Sequence, residues 1–241
     1  MKINEFFFEE IDSTSTYIKK HFKELDNFTF VSTSFQTKGR GRTNRVWYSN
    51  KKENIMFSFL ITDKFLIKKY KDLSLATAYV IANLLKKLYP TLSLKIKWPN
   101  DVYVNDKKIL GILLESHIIN QEIDGIIVGI GLNCNQIDFP IDLIYPVTSL
   151  KRELNIDINI FSLRKRIEEE LYIYLNSLKN NNKEHIIFAK NHNYLKDKEV
   201  YGTINNEKKF IKVIDINDDC SLKIKVDDKI IDIISGEITF H

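Results

Sequence analysis

Cysteine is nearly absent: Cys134 and Cys220 are the only two in 241 residues, far apart and without a neighbouring Cys or clustered His. This excludes a disulfide framework, offers no zinc-site spacing, and fits a reducing compartment. Long apolar runs are missing as well. No stretch approaches membrane-spanning length, and residues 1–10 carry acidic and aromatic side chains instead of a basic segment followed by an apolar one. A cytoplasmic protein, or the mature part of an imported one, is expected. Charge of one sign is also lacking. Thirty-six basic against 32 acidic side chains leave +4, a mild excess that suits an acidic partner without requiring nucleic acid. Internal repeats and low-complexity segments are not found. With 44% apolar and 28% charged residues, disordered and fibrous classes are excluded.

Pattern must therefore supply the fold. Residues 3–11, rich in Phe and Ile, read as a strand, and Asp12, Ser13 and Thr14 offer cap-type side chains before an amphipathic helix over 17–25. A second strand is expected over 28–35, then a polar loop, 36–50, that could not be packed as core. Strand pattern over 54–62 precedes helical spacing over 69–88, where Ala76, Ala78 and Ala82 permit close packing of a central buried helix. Runs at 94–98, 102–104, 109–119 and 123–133 predict an antiparallel meander, with Asn105-Asp106 and Asn120-Gln121 as turns. Helices are expected over 161–178 and 183–191. Five short strands follow, at 200–204, 210–216, 221–226, 230–234 and 237–240. The expected class is α+β: a mixed, largely antiparallel sheet with packed helices over 1–192, and a small SH3-like barrel over 193–241.

Chemistry concentrates in two segments. Lys38-Gly39-Arg40-Gly41-Arg42-Thr43-Asn44-Arg45-Val46-Trp47 places three arginines in a glycine-containing loop. Arginine holds carboxylate or phosphate oxygens through paired hydrogen bonds, and glycine lets backbone approach a ligand, so anion binding is the natural reading. A solvated basic loop or a nucleic-acid contact would explain this segment equally well by itself. The second segment is Lys97-Trp98-Pro99-Asn100-Asp101, between two strand runs, followed by Lys107-Lys108 and Gly111-Ile112-Leu113. Proline fixes a turn there and an amide and a carboxylate are presented at a strand end, although an ordinary Asx turn has the same composition.

Together these segments resemble the biotin–protein ligase family, which carries a Gly-Arg-Gly-Arg loop, a Lys-Trp-Pro-Asn-Asp turn and a lysine on the strand beyond. The resemblance extends through Asp12-Ser13-Thr14, Gln36, Gly129-Ile130-Gly131-Leu132-Asn133 and Gly236-Glu237-Ile238, spanning essentially the whole chain in order. It implies a catalytic domain like that of class II aminoacyl-tRNA synthetases, joined to the SH3-like domain. It also implies ATP and biotin as substrates with Mg²⁺, formation of biotinyl-5'-AMP, and transfer of biotin to a lysine of a biotin carboxyl carrier protein. Carried over by position, Ser13, Thr14, Ser15, Gln36, Arg40, Gly41, Arg42, Lys108, Gly111 and Leu113 would bind biotin. Arg42, Arg45, Trp47, Asn100, Asp101, Lys108 and Asn133 would bind ATP, with Asp101 near the metal. Arg40, Arg42 and Lys108 would carry the catalysis, neutralising two anions that must meet.

Two positions depart from the family pattern. Ser15 stands where asparagine usually follows Ser-Thr, and Asn44 replaces a glycine whose positive φ it could itself adopt. Some family members carry an N-terminal DNA-binding domain; here the pattern begins at residue 3, and no DNA partner is expected. A lipoate–protein ligase or octanoyl transferase shares the fold and is the competing enzyme reading. A homodimer formed through an edge strand is a further expectation.

Overall fold

The computed structural model describes residues 4–141, 143, 145–204, 207–234 and 236–239. Residue 3 of the first expected strand and residue 240 of the last lie outside them. Two sheets organise the chain.

The larger sheet contains β1 (Glu5–Phe8), β2 (Phe30–Thr33), β3 (Asn54–Ile61), β4 (Leu94–Lys97), β5 (Asp101–Val104), β6 (Lys107–Ile119) and β7 (Glu122–Asn133) in the order β1-β2-β3-β7-β6-β5-β4. Only the β1–β2 pair is parallel; the remaining pairs are antiparallel, as short connections require. Strand alternation divides its side chains between two faces. Ile55, Phe57, Phe59 and Ile61 of β3 face the same way as Ile126, Val128, Ile130 and Leu132 of β7, opposite which they pair. These residues join the main core with helices α3 (Tyr70–Leu88) and α5 (Ile160–Ser177). The other face carries small and polar residues, including Ser58, Gly129 and Gly131. At one end it is covered by α1 (Thr14–Lys20), whose Ile18 packs with Val31, Leu60 and Ile127.

The first helix starts three residues earlier than its apolar spacing suggests, directly after Ser13, and gives way to a 3-10 turn at Phe22–Glu24. Two short helices had no periodic signal. Asp63 caps α2 (Lys64–Lys68) by accepting from the Phe65 and Leu66 N–H groups, and Ser149 caps α4 (Leu150–Leu154) through Arg152 N–H. The last helix, α6, is Glu184–Asn191.

The smaller sheet contains β8 (Glu199–Ile204), β9 (Glu207–Ile216), β10 (Leu222–Val226), β11 (Lys229–Ile233) and β12 (Glu237–Thr239), all antiparallel, in the order β11-β10-β9-β8-β12. The chain between the sheets lies along the edge strand β4, with Ile96 N–H bonded to His192 O at 2.8 Å and Tyr194 N–H to Ile96 O at 2.9 Å. Trp98 Nε1 donates to Cys220 O at 2.9 Å, fixing the smaller sheet beside the turn after β4. Among the described residues no helix is long and apolar enough to cross a membrane.

Candidate functional site

Small residues in the middle of the large sheet open a cavity of about 380 Å³. Gly111 of β6 lies opposite Gly131 of β7, and the Trp47 indole lies over the pair. A Cβ built on Gly131 would come within 2.3 Å of that indole, and one on Gly111 within 2.8 Å. The glycines are therefore required by close approach. All fifteen positions assigned by the family pattern line the cavity: Ser13, Thr14, Ser15, Gln36, Arg40, Gly41, Arg42, Arg45, Trp47, Asn100, Asp101, Lys108, Gly111, Leu113 and Asn133.

One side of the cavity is neutral and rich in hydroxyls. Ser13 occupies the N-cap position of α1 yet makes no side-chain cap bond; its hydroxyl meets Ser15 Oγ at 3.1 Å. Thr14 donates its backbone N–H to Gln36 Oε1 at 2.9 Å, and its hydroxyl lies 2.7 Å from Ser58 Oγ. Ser58 pairs across the strands with Gly129, which pairs with Leu113, so these three share the cavity face. The cap expected from sequence is absent, and the hydroxyls serve the cavity.

The other side is cationic. A β-bulge opposite Val102/Tyr103 brings Gly111 opposite Asp101 and Lys108 opposite Tyr103. Since opposed residues share a face, the extra residue turns Lys108 onto the same face as Gly111; regular pairing would turn it away. Its Nζ reaches Asp101 Oδ1 at 2.7 Å and sits 5.7 Å from the Trp47 ring centroid. Arg42 donates to Asn100 Oδ1 at 3.2 Å and to Gly236 O at 3.0 Å, so the smaller sheet contributes backbone here. Burial lowers the Arg42 pKa, and Asp101 opposes that effect. Asn100 Nδ2 in turn donates to Ile112 O at 2.8 Å, tying the turn to β6. Arg45 lies over Tyr145, 5.4 Å from its centroid. Arg40 is held by Glu115, at 2.6 and 2.7 Å, and by Ser15 Oγ at 3.2 Å.

The arginine loop is pinned at its base, where Trp47 N–H bonds Gly39 O and Gly41 N–H bonds Arg45 O. The positive φ at its tip falls on Thr43 (φ 52), one residue before Asn44. The Asn44 side chain, like those of Glu237 and Ile238, lies outside the described residues.

Lys97 was quoted in the motif but given no role. It is 4% exposed and lines the cavity, with Nζ 4.4 Å from the Tyr145 ring centroid. Burial depresses its pKa to about 8, opposed by Asp101 and reinforced by Lys108 and Arg45. Ser58 and Tyr145 also line the cavity, and neither carried any sequence signal. Asn133 uses its amide nitrogen on Thr148 O at 2.9 Å, while its buried Oδ1 has no partner among the described residues.

A family profile described as the biotin/lipoate A/B protein ligase family matches residues 7–133. Over 126 residues the chain is 35% identical to the bifunctional ligase/repressor BirA of Bacillus subtilis, a match covering 52% of this chain and 38% of that protein. It is 32% identical over 123 residues to the biotin–[acetyl-CoA-carboxylase] ligase of Paracoccus denitrificans, covering 51% of each. These matches span less than two thirds of either relative. Among solved structures, the biotin protein ligase of Aquifex aeolicus in complex with biotin and ATP superposes with a TM-score of 0.85 at 26% identity, covering 98% of this chain and 97% of that one.

Proposed function

The chain belongs to the biotin/lipoate A/B protein ligase family, and from that premise we propose that it is an ATP-dependent biotin–protein ligase. The observation that carries this reading is one cavity with a neutral hydroxyl and amide cluster on one side, Lys108, Lys97 and Arg42 on the other, and a glycine floor between. A ureido ring needs donors and acceptors without charge, which Ser13, Thr14, Ser15, Gln36 and Ser58 supply. The thioether and alkyl tail then runs over Leu113 and Gly129, and its carboxylate arrives at the cationic side.

In the first half-reaction a biotin carboxylate oxygen attacks the α-phosphorus of ATP and pyrophosphate leaves. The two reactants are both anions. Lys108 and Arg42 offset their repulsion and the charge developing on pyrophosphate, in a site partly removed from water. Arg40 steadies the hydroxyl end through Ser15, and Trp47 covers the adenylate. In the second half-reaction a lysine amine of the carrier attacks the acyl carbon of biotinyl-5'-AMP and AMP departs. Positioning governs that step, so no nucleophile from this chain is needed.

The donors present fit Mg²⁺ carried by the triphosphate: Asp101 offers a carboxylate and Asn133 an unpartnered buried amide oxygen, a small set such as a phosphate-bound ion requires. When bound, the ion supplies charge neutralisation at the phosphates. The carrier is taken to be the biotin carboxyl carrier protein or domain of a biotin-dependent carboxylase. The division at 192/193 and a closed SH3-like barrel for the smaller sheet belong to the same reading. So does a homodimer formed through an edge strand of the larger sheet.

The hydroxyl cluster favours biotin over lipoate or octanoate, whose chains have no ureido group to satisfy it. Intact-mass analysis of a biotin carboxyl carrier domain incubated with this protein, ATP, Mg²⁺ and each acid tests the choice. Biotin addition alone is expected; lipoyl or octanoyl addition would move the protein to the sister activity.

A further inference from the structure

Three ligand-type side chains that do not themselves line the cavity meet behind its wall. Asp72 on α3, His185 on α6 and Cys220 in the turn between β9 and β10 bring their donor atoms within 4.8 Å of one another. They come from positions 113 and 35 residues apart, so no sequence spacing reveals them. His185 Nε2 lies 3.1 Å from Asp72 Oδ1 and 3.8 Å from Cys220 Sγ.

The imidazole has a partner on each of its two nitrogens. The Tyr174 hydroxyl accepts the backbone N–H of His185 at 2.9 Å and lies 3.0 Å from Nδ1, with Asn182 Oδ1 at 3.5 Å as a second acceptor for its proton. In the tautomer that carries its proton on Nδ1, His185 donates to Tyr174, and Nε2 presents a lone pair to the carboxylate and the sulfur. That tautomer suits a cation held between Nε2 and the Asp72 carboxylate, 3.1 Å apart; the other donates Nε2–H to Asp72 directly. Fixing of a ligating imidazole by an outer hydrogen bond is the usual way a metal site is oriented.

We propose that Asp72, His185 and Cys220 bind one divalent cation of the Zn²⁺ class, which fastens the smaller sheet to the helical layer. Bonds of about 2.0 Å to N and O and about 2.3 Å to S place tetrahedral ligands about 3.3–3.6 Å apart, so modest side-chain rotation completes the site. Binding sends the Cys220 thiol proton to solvent and leaves the imidazole neutral; thiolate and carboxylate then balance the dication. The fourth position falls to water on the Asp72 side, where that side chain is 20% exposed while His185 is fully buried. Thiolate with imidazole selects Zn²⁺ over Mg²⁺ or Ca²⁺.

Two further features single out Cys220. Its φ of 66° lies in the left-handed region, where Gly or Asn is the ordinary choice, so turn geometry does not account for a cysteine. Its carbonyl accepts from Trp98, adjacent to the turn that carries Asn100 and Asp101. The cation would thus brace the wall of the cavity from behind.

Metal-stripped full-length protein titrated with Co²⁺ tests this directly. The expected result is one equivalent bound with a thiolate-to-cobalt charge-transfer band, displaced by Zn²⁺. Cys220→Ser should abolish the band and Cys134→Ser retain it, while Tyr174→Phe should weaken binding about 10- to 100-fold. No such band in the parent protein, or an unchanged band in Cys220→Ser, would overturn the proposal and leave a hydrogen-bonded chain from Tyr174 through His185 to Asp72. Should Cys220→Ser fail to fold by circular dichroism, Asp72→Asn decides: weakened Co²⁺ binding supports the site, and unchanged binding refutes it.

Discussion

Lys97 carries an ammonium group into a space nearly closed to water, and burial holds its pKa at about 8. An unfolded lysine stays protonated to about 10.4, so between those limits the unfolded chain binds the extra proton and stability rises with pH. Below pH 8 the folded protein bears the cost of the buried cation. Lys97→Met should therefore raise Tm at pH 7 by at least about 2 °C, with the advantage shrinking as pH rises toward 10, while adenylation falls. Thermal melts at several pH values check the sign; a constant gap across that window would contradict it. Gly131 has the opposite character, since it is silent until a side chain is added. In Gly131→Ala the Trp47 indole must leave its seat, so tryptophan fluorescence should shift and KM for ATP rise about tenfold, or ~1.4 kcal/mol. These two residues mark the reach of the sequence at this scale. Arginines, the Asn-Asp turn and Lys108 stand in motifs, whereas Ser58 and Tyr145 reach the cavity only through register and loop path.

At the scale of elements, β1 is joined to α5 by a buried charge cluster. Arg164, 5% exposed, pairs with Glu5 and with the fully buried Glu168, one turn along the helix at 2.5 Å; Lys165 pairs with Glu5. Burial raises the Glu168 pKa, with Arg164 pulling the other way. Removing Arg164 leaves the buried Glu168 carboxylate with only the longer Lys165 contact at 3.5 Å, so Arg164→Ala should cost about 3 kcal/mol in urea unfolding at pH 7. A carboxyl with a raised folded pKa holds its proton more tightly than the unfolded chain does, so it favours folding at low pH and loses that contribution as pH rises through the folded value. The deficit of the variant should shrink between pH 7 and 5; a deficit that grows would show that Glu168 is not the stranded group. Long elements such as α3, α5, β6 and β7 were legible because periodicity needs several turns or pairs to declare itself. Helices α2 and α4, five residues each, were not, and only their caps at Asp63 and Ser149 announce them. Ser13 shows the converse, since a cap-type residue turned toward the cavity reads the same in sequence as a cap.

Across the whole molecule, the cavity depends on parts of the chain that sequence order keeps far apart. Hydroxyls precede and enter α1, arginines come from the loop before β3, Asp101 and Lys108 from β5 and β6, and a backbone carbonyl from Gly236, between β11 and β12 of the smaller sheet. The order of motifs made their family legible, but the joint between the sheets was hidden because backbone bonds and a Trp98 contact make it. The central claim is that this assembly activates a biotin carboxylate as an adenylate. The most direct test is biotin-dependent exchange of labelled pyrophosphate into ATP by the full chain and by Lys108→Ala. Exchange that requires biotin and falls about 10²- to 10³-fold in the variant is the predicted result. Exchange without biotin, none with biotin in the parent protein, or an undiminished rate in Lys108→Ala would contradict the account.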